Sequence, residues 1–225
     1  MALTVNGRTV EVQRKAMKTL RLRLAPDGSL RVSAPFFTPN AFIKAFVLSN
    51  EAWIEAQTKK RASIPTGPEA GVLLLWGESY ALRLETGGRA GSVRLREGAA
   101  ILSVREDSGP ERRADYIKEW RRAQLKEAVA QYLPIWEART GLHPSSWQSK
   151  SMKTRWGTCN TRTKKIWLNV ALTQPPVECL EYVILHELAH LKVSNHGPEF
   201  KAILDAYMPD WRQRRKKLNQ QIPLG

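Results

Sequence analysis

At 225 residues, 42% hydrophobic and 25% charged, the chain can build one large domain or two small ones around a full core, which excludes a disordered or fibrous protein. The longest apolar run, Gly71 to Trp76, is far too short to span a bilayer, and the first residues, Met1 to Arg8, lack the apolar core of a secretory signal; with only two cysteines, Cys159 and Cys179, and no disulfide framework, the expectation is a cytoplasmic protein with no membrane partner. The 36 Lys and Arg against 21 Asp and Glu leave a net charge of +15, which favours contact with a polyanion such as nucleic acid or an acidic protein, or else is a solvated basic surface.

The first residues read as strands. Asn6-Gly7 between Leu3-Thr4-Val5 and Arg8 to Val12 is a hairpin signal, and Leu20, Leu22 and Leu24 alternate with Arg21 and Arg23. Pro26-Asp27-Gly28 predicts a turn into Leu30 to Ser33. Thr38-Pro39 opens a helical segment reaching about Arg61, with Phe42, Phe46, Val47, Trp53 and Ile54 at helical spacing and an interruption near Ser49-Asn50. Ser63 to Ala70, with two prolines and a glycine, reads as a linker.

Residues 72–105 return to strand pattern in four short runs between Gly-rich turns, and Asp107-Ser108-Gly109-Pro110 reads as a boundary. The predicted domains are therefore a β-rich region with one helical segment over 1–108 and a second domain over 109–225. From Glu111 a long basic amphipathic helix has Tyr116, Ile117, Trp120, Leu125, Val129 and Leu133 on its buried side; Pro134 is expected to kink or break it and Gly141 to end it. Two strands, Trp147 to Lys153 and Lys164 to Ala171, should flank the loop Thr154 to Asn160, and Thr173 with Pro175-Pro176 should start the next helix.

That helix carries the chemistry. Tyr182 to Leu191 contains His186-Glu187-Leu188-Ala189-His190, and His196 follows six residues later. On a helix, positions i and i+4 lie about 40° apart and one turn along the axis, so His186 and His190 can share a metal ion. Glu187 lies beside them, where a general base for a metal-bound water belongs, and three neutral imidazoles leave a coordination position open, as in a catalytic zinc site. Ser194-Asn195 should turn the chain so that His196 returns over the first two histidines, ahead of a helix from Glu199 to about Tyr207. The tail carries Arg212, Arg214, Arg215, Lys216 and Lys217, a cluster usable against phosphate or simply exposed.

Met152 to Cys159, Leu168-Asn169, the H-E-x-x-H run, Asn195-His196 and Phe200 together resemble the YgjP-like metallopeptidases, bacterial relatives of the SprT-like and WLM zinc proteases. The likeness is strongest over about residues 110–218 and extends over nearly the whole chain. It implies an α+β, zincin-like fold, one zinc ion per chain on His186, His190 and His196, and Glu187 as the catalytic base. Gly197 and Lys201 depart from the family, which usually has serine and often tryptophan there, and Val193 stands where metzincins carry glycine.

The expected function is hydrolysis of peptide bonds in a peptide or protein substrate through a metal-activated water. The strand Ile166 to Val170 is the expected edge for an extended substrate. Arg155 and Tyr207 are candidates to stabilise the oxyanion, although Arg155 reads better as a structural ion pair or a bond to loop carbonyls, and Tyr207 as core or helix end. Trp156 reads as packing, Cys159 as a small buried residue and His143 as a loop residue. The alternatives are a protease acting on nucleic-acid-bound proteins, a basic nucleic-acid-binding module with a non-catalytic metal site, and zinc hydrolysis of a non-peptide amide.

Overall fold

The computed structural model describes residues 2–24, 29–62, 71–87 and 91–221. The turn expected at Pro26-Asp27-Gly28 and the linker expected at Ser63 to Ala70 lie outside them. The chain is mixed α+β and divides into two compact units, residues 1–65 and 66–224.

In the first unit, β1 (Ala2–Val5), β2 (Arg8–Lys15), β3 (Arg21–Leu24) and β4 (Leu30–Pro35) form a sheet in the order β1-β2-β4-β3. Asn6 (φ 48°) and Gly7 (φ 73°) make the two-residue turn that the Asn-Gly pair predicts. Helices α1 (Asn40–Ser49) and α2 (Glu51–Ala62) follow, broken at Asn50. They bury Ile43, Val47 and Ile54 against Val10, Val12, Leu30 and Val32. Phe42 and Trp53 are exposed, because the sheet-facing stripe runs through the aliphatic positions beside them.

The second unit opens with the same plan. Strands β5 (Val72–Leu75), β6 (Glu78–Thr86), β7 (Ser92–Arg96) and β8 (Ala99–Val104) pair in the order β5-β6-β8-β7, with β6 parallel to β8 as β2 is to β4. Its hairpin turns, Trp76-Gly77 and Glu97-Gly98, also have positive φ at both positions. Helix α3 (Pro110–Thr140) lays Ile117, Tyr116 and Trp120 on this sheet, and its later turns bury Leu125, Val129 and Trp136 in a second core. The division expected at 108/109 thus falls between β8 and α3, inside one compact unit. Gly109-Pro110 is the start of a helix, with Pro110 at its first position, where its missing N–H costs nothing. Pro134 sits within α3 without ending it, since Val129 and Trp136 on either side are held in the core; Gly141 (φ 67°) closes the helix, donating to the Glu137 carbonyl (2.8 Å).

A three-stranded sheet follows: β9 (Ser146–Lys150), β10 (Gly157–Asn160) and β11 (Lys165–Asn169), in the order β10-β11-β9. β11 is central, antiparallel to β10 and parallel to β9, so the strand expected to be an open edge has both sides paired. The edge is β10. After a 3-10 turn at Val170–Thr173, helix α4 (Val177–Ala189) runs through the core with nine buried residues. Thr173 belongs to that turn, its hydroxyl donating to the Val170 carbonyl (2.9 Å), and Pro176 stands at the helix start. Helices α5 (Pro198–Tyr207) and α6 (Trp211–Gln221) complete the unit; α6, read from sequence only as a basic tail, docks on α4 through Trp211 and Leu218. Among the described residues no helix is long and apolar enough to cross a membrane.

Candidate metal centre and cleft

Helix α4 is apolar over nearly all its circumference, so it is held in the core and its polar residues sit at fixed depth. His186 lies in its last turn and His190 caps it in helical conformation. The chain then tightens, with Lys192 N–H donating to the Ala189 carbonyl (3.1 Å) and Val193 N–H to the same oxygen (2.9 Å), and Val193 is buried. Asn195 accepts the Gly197 N–H through its side chain (3.0 Å), a side-chain turn that carries His196 between the two helices. His196 thereby returns over the pair on α4, as the turn chemistry predicted.

The ligand-capable atoms of His186, His190 and His196 all lie within 4.8 Å of one another. Phe200, 2% exposed at the start of α5, is the floor beneath them, its ring centroid 4.9, 4.7 and 4.7 Å from the three imidazoles. The Nε2 atoms of His186 and His196 face each other at 3.1 Å. Two ring nitrogens on one ion in tetrahedral coordination, with bonds of about 2.0–2.1 Å, stand about 3.3 Å apart. The donor set fits a cation in other respects too. His190 Nδ1 is 3.0 Å from the Val193 carbonyl oxygen, which can only accept; Nδ1 therefore carries the proton and Nε2 offers its lone pair. Burial, and then the neighbouring imidazoles and Arg215, push His186 down to about 3 and lower His196, so both rings are neutral at physiological pH. Among the described residues these histidines are the one such cluster of potential ligands.

Glu187 is 4% exposed, and its Oε2 has no hydrogen-bond partner. Burial pushes the carboxyl up to about 8, against a smaller lowering by Arg155. A buried carboxylate oxygen left unpartnered is costly in a purely structural role and is open to a reacting group. The carboxyl packs on Gly157 in β10: a Cβ there would meet Glu187 Oε1 at 2.5 Å.

A cleft of about 560 Å³ takes in the three histidines and Glu187 on one side, and Arg155, Gly157 and Cys159 on the other. The wall that carries β10 is anchored by Asn169. Its side-chain amide donates to the carbonyls of Met152 and Arg155 (2.8 Å each), its side-chain oxygen accepts from Ala171 N–H (3.1 Å), and its backbone N–H donates to Trp156 (2.8 Å). Arg155 is exposed at the cleft and makes no ion pair among the described residues, so the structural salt bridge expected for it is absent; its backbone carbonyl is what the loop uses. Trp156 is half-buried and packs on the core. Cys159 lines the cleft with its thiol pushed up to about 11 by burial and by Glu187, and is not gathered with the histidines. Tyr207 is 40% exposed at the end of α5 and does not line the cleft, and His143 lies 3.6 Å from Glu137 at the end of α3.

Tyr182 was missed. It lines the cleft one turn before His186, its hydroxyl 3.5 Å from His186 Nδ1, and its ring stacks on Trp211 (centroids 6.4 Å, 9° between planes). The i−4 spacing from His186 was the signal that could have found it. Arg215, also in the lining, was hidden in the basic tail.

Imidazoles converging on one point beside a buried carboxylate are the equipment of metal-dependent hydrolases. The family model for the YgjP-like metallopeptidase domain matches residues 18–221, and the chain belongs to that family. Among solved structures it is similar to the metallopeptidase zymogen of Pyrococcus abyssi abylysin (20% identity, TM-score 0.39, covering 42% of this chain and 94% of that one). It is also similar to the zymogen of Methanocaldococcus jannaschii jannalysin (26% identity, TM-score 0.37, covering 41% and 95%). Curated proteins return no match.

Proposed function

We propose that the protein is a zincin-like zinc metallopeptidase, holding one zinc ion per chain on His186, His190 and His196 and using Glu187 as general base. The observation that carries this reading is the meeting of three imidazoles beside a buried carboxyl group with an unpartnered oxygen. Zinc held there would supply a Lewis acid for the scissile carbonyl and bring water towards ionisation near neutral pH.

The chain's own residues account for the rest. The ionised form of Glu187 would be favoured by a cation held on the histidines, and its Oε2 then takes a proton from water entering the cleft and passes it to the leaving amine. The Val193 carbonyl keeps His190 in the tautomer that offers Nε2. β10, which pairs only with β11 among the described residues and lines the cleft, offers an open edge to which an extended peptide adds as a strand, giving backbone bonds that tolerate varied sequence. Arg155, exposed on the same wall, is placed to meet negative charge on the reacting group.

The test is metal analysis combined with proteolysis of casein. Purified protein should carry close to one zinc per chain. Glu187→Gln should keep the metal and lose hydrolysis, whereas His186→Ala/His190→Ala should lose both. Unchanged metal content in the double histidine variant, or full activity in Glu187→Gln, would overturn the assignment.

A further inference from the structure

The five basic residues of α6 have different fates in the fold. Arg214 lies between Glu181 and Asp210, 2.8 Å from each, Lys217 donates to Glu178 (2.6 Å), and Arg212 pairs with Asp205. These three are neutralised locally. Arg215 and Lys216 are exposed with no carboxylate partner among the described residues, and Lys201 on α5 makes no ion pair among them either, although its charge acts on Asp205 one turn further on. The three line a second cavity of about 510 Å³ together with Trp211, Asn219 and the Asp205-paired Arg212, and no carboxylate is in the lining.

This cavity shares a wall with the histidine cleft: Arg215 and Asn219 line both. Arg215 is near enough to the histidines for its charge to act on His186 and His196. Three like charges around a partly enclosed space repel one another, and a carboxylate entering it relieves that repulsion, with Arg215 able to grip it through two parallel bonds.

We propose that the cavity between α5 and α6 is a subsite for acidic side chains of a polypeptide lying in the cleft, with Arg215 as its specificity-determining residue. The inference rests on the peptidase reading and names its substrate class. An acidic polypeptide fits better than a nucleic acid because the lining offers no stacking surface. Its one aromatic, Trp211, is 6% exposed, donates its Nε1–H to Asp205 (2.7 Å) and has its ring against Tyr182.

The test separates binding from turnover by using Glu187→Gln protein. Fluorescence anisotropy is measured with labelled octaglutamate, a neutral Gly/Ser octapeptide and an oligothymidylate. Octaglutamate should bind best, in a salt-sensitive manner. Arg215→Glu and Lys201→Glu/Lys216→Glu should each weaken it about tenfold or more. Arg83→Glu/Lys126→Glu, a charge reversal at exposed residues outside the cavity, should leave it unchanged. Equal weakening by Arg83→Glu/Lys126→Glu would reduce the effect to diffuse charge and overturn the site. So would unchanged octaglutamate binding in both groove variants, or an Arg215-dependent preference for the oligonucleotide. If wild-type protein binds octaglutamate through Arg215 yet cleaves no protein, the peptidase reading and the substrate role fall together, while the anion-binding cavity stands.

Discussion

Gly157 and Glu187 occupy one another's space. The carboxylate oxygen Oε1 lies 2.5 Å from where a Cβ on Gly157 would be, so the strand at the cleft edge and the carboxylate on the helix can approach this closely only because position 157 lacks a side chain. The expected outcome for Gly157→Ala is a folded protein with normal metal content and activity lowered about 100-fold, since a displacement of roughly 1 Å at a reacting group has that scale. Steady-state proteolysis alongside metal analysis checks this, and activity near wild type would show that the carboxylate has room to move.

Asn169 ties the loop that precedes β10 to the turn after β11, spending its side chain on Met152, Arg155 and Ala171. Asn169→Ala leaves two carbonyls and two N–H groups without these partners, a loss on the order of 3 kcal/mol. Chemical denaturation should report that loss, and limited proteolysis should cut the loop at 151–156 sooner. Asn169→Asp should not rescue, because a carboxylate cannot donate to the two carbonyls.

The Glu178–Lys217 pair ties α4 to α6, and its pH window follows from the two partners. The hydrogen bond from Lys217 holds the Glu178 carboxyl below its ordinary 4.5, so its contribution is present above that pH and is lost as pH falls through the depressed value. The same bond raises Lys217 above its ordinary 10.5, so that contribution is present below 10.5 and is lost as pH rises through the raised value. Lys217→Met should therefore lower Tm slightly at neutral pH, with the gap from wild type closing at both acid and alkaline extremes. A gap that stays constant with pH would mean the lysine acts through packing.

Gly77 combines φ of 91° with a Cβ position 2.8 Å from the Pro176 ring. Gly77→Ala should cost about 2–4 kcal/mol, from backbone strain and the collision together. Gly98→Ala shares the positive φ but meets nothing within 4 Å, so it should cost only the strain component. Comparing the two by denaturation isolates the contact with Pro176.

The histidine cluster was legible because its information is local: a spacing of four on a helix, and an Asx turn that returns a third ring. The hairpins were legible for the same reason, through Asn6-Gly7 above all. Strand order was not. Whether Lys165–Asn169 is an edge depends on β9, which pairs with it in parallel from across a loop, and no local pattern records that partnership. The role of the stretch at 108/109 was not legible for the same reason: Gly109-Pro110 reads identically as a linker and as a helix start, and the packing of Ile117 and Trp120 on the preceding sheet is not a local signal. The basic tail was visible as charge, but its split into paired and unpaired cations required the positions of Glu178, Glu181, Asp205 and Asp210.

The two four-stranded sheets share a blueprint, yet their first hairpin turns are not interchangeable parts. A Cβ at Gly7 would meet nothing within 4 Å, whereas Trp76 and Gly77 donate their N–H groups to the carbonyls of Thr173 (2.7 Å) and Gln174 (2.9 Å), at the root of the histidine-bearing helix. The second turn is therefore a doorstop set under α4. A graft of the first turn's sequence into its place would keep the hairpin but remove Trp76 from the core it packs on. For anyone trimming the protein to a minimal catalytic core, the cut belongs ahead of β5: a start at residue 109 leaves the helix present and its footing gone.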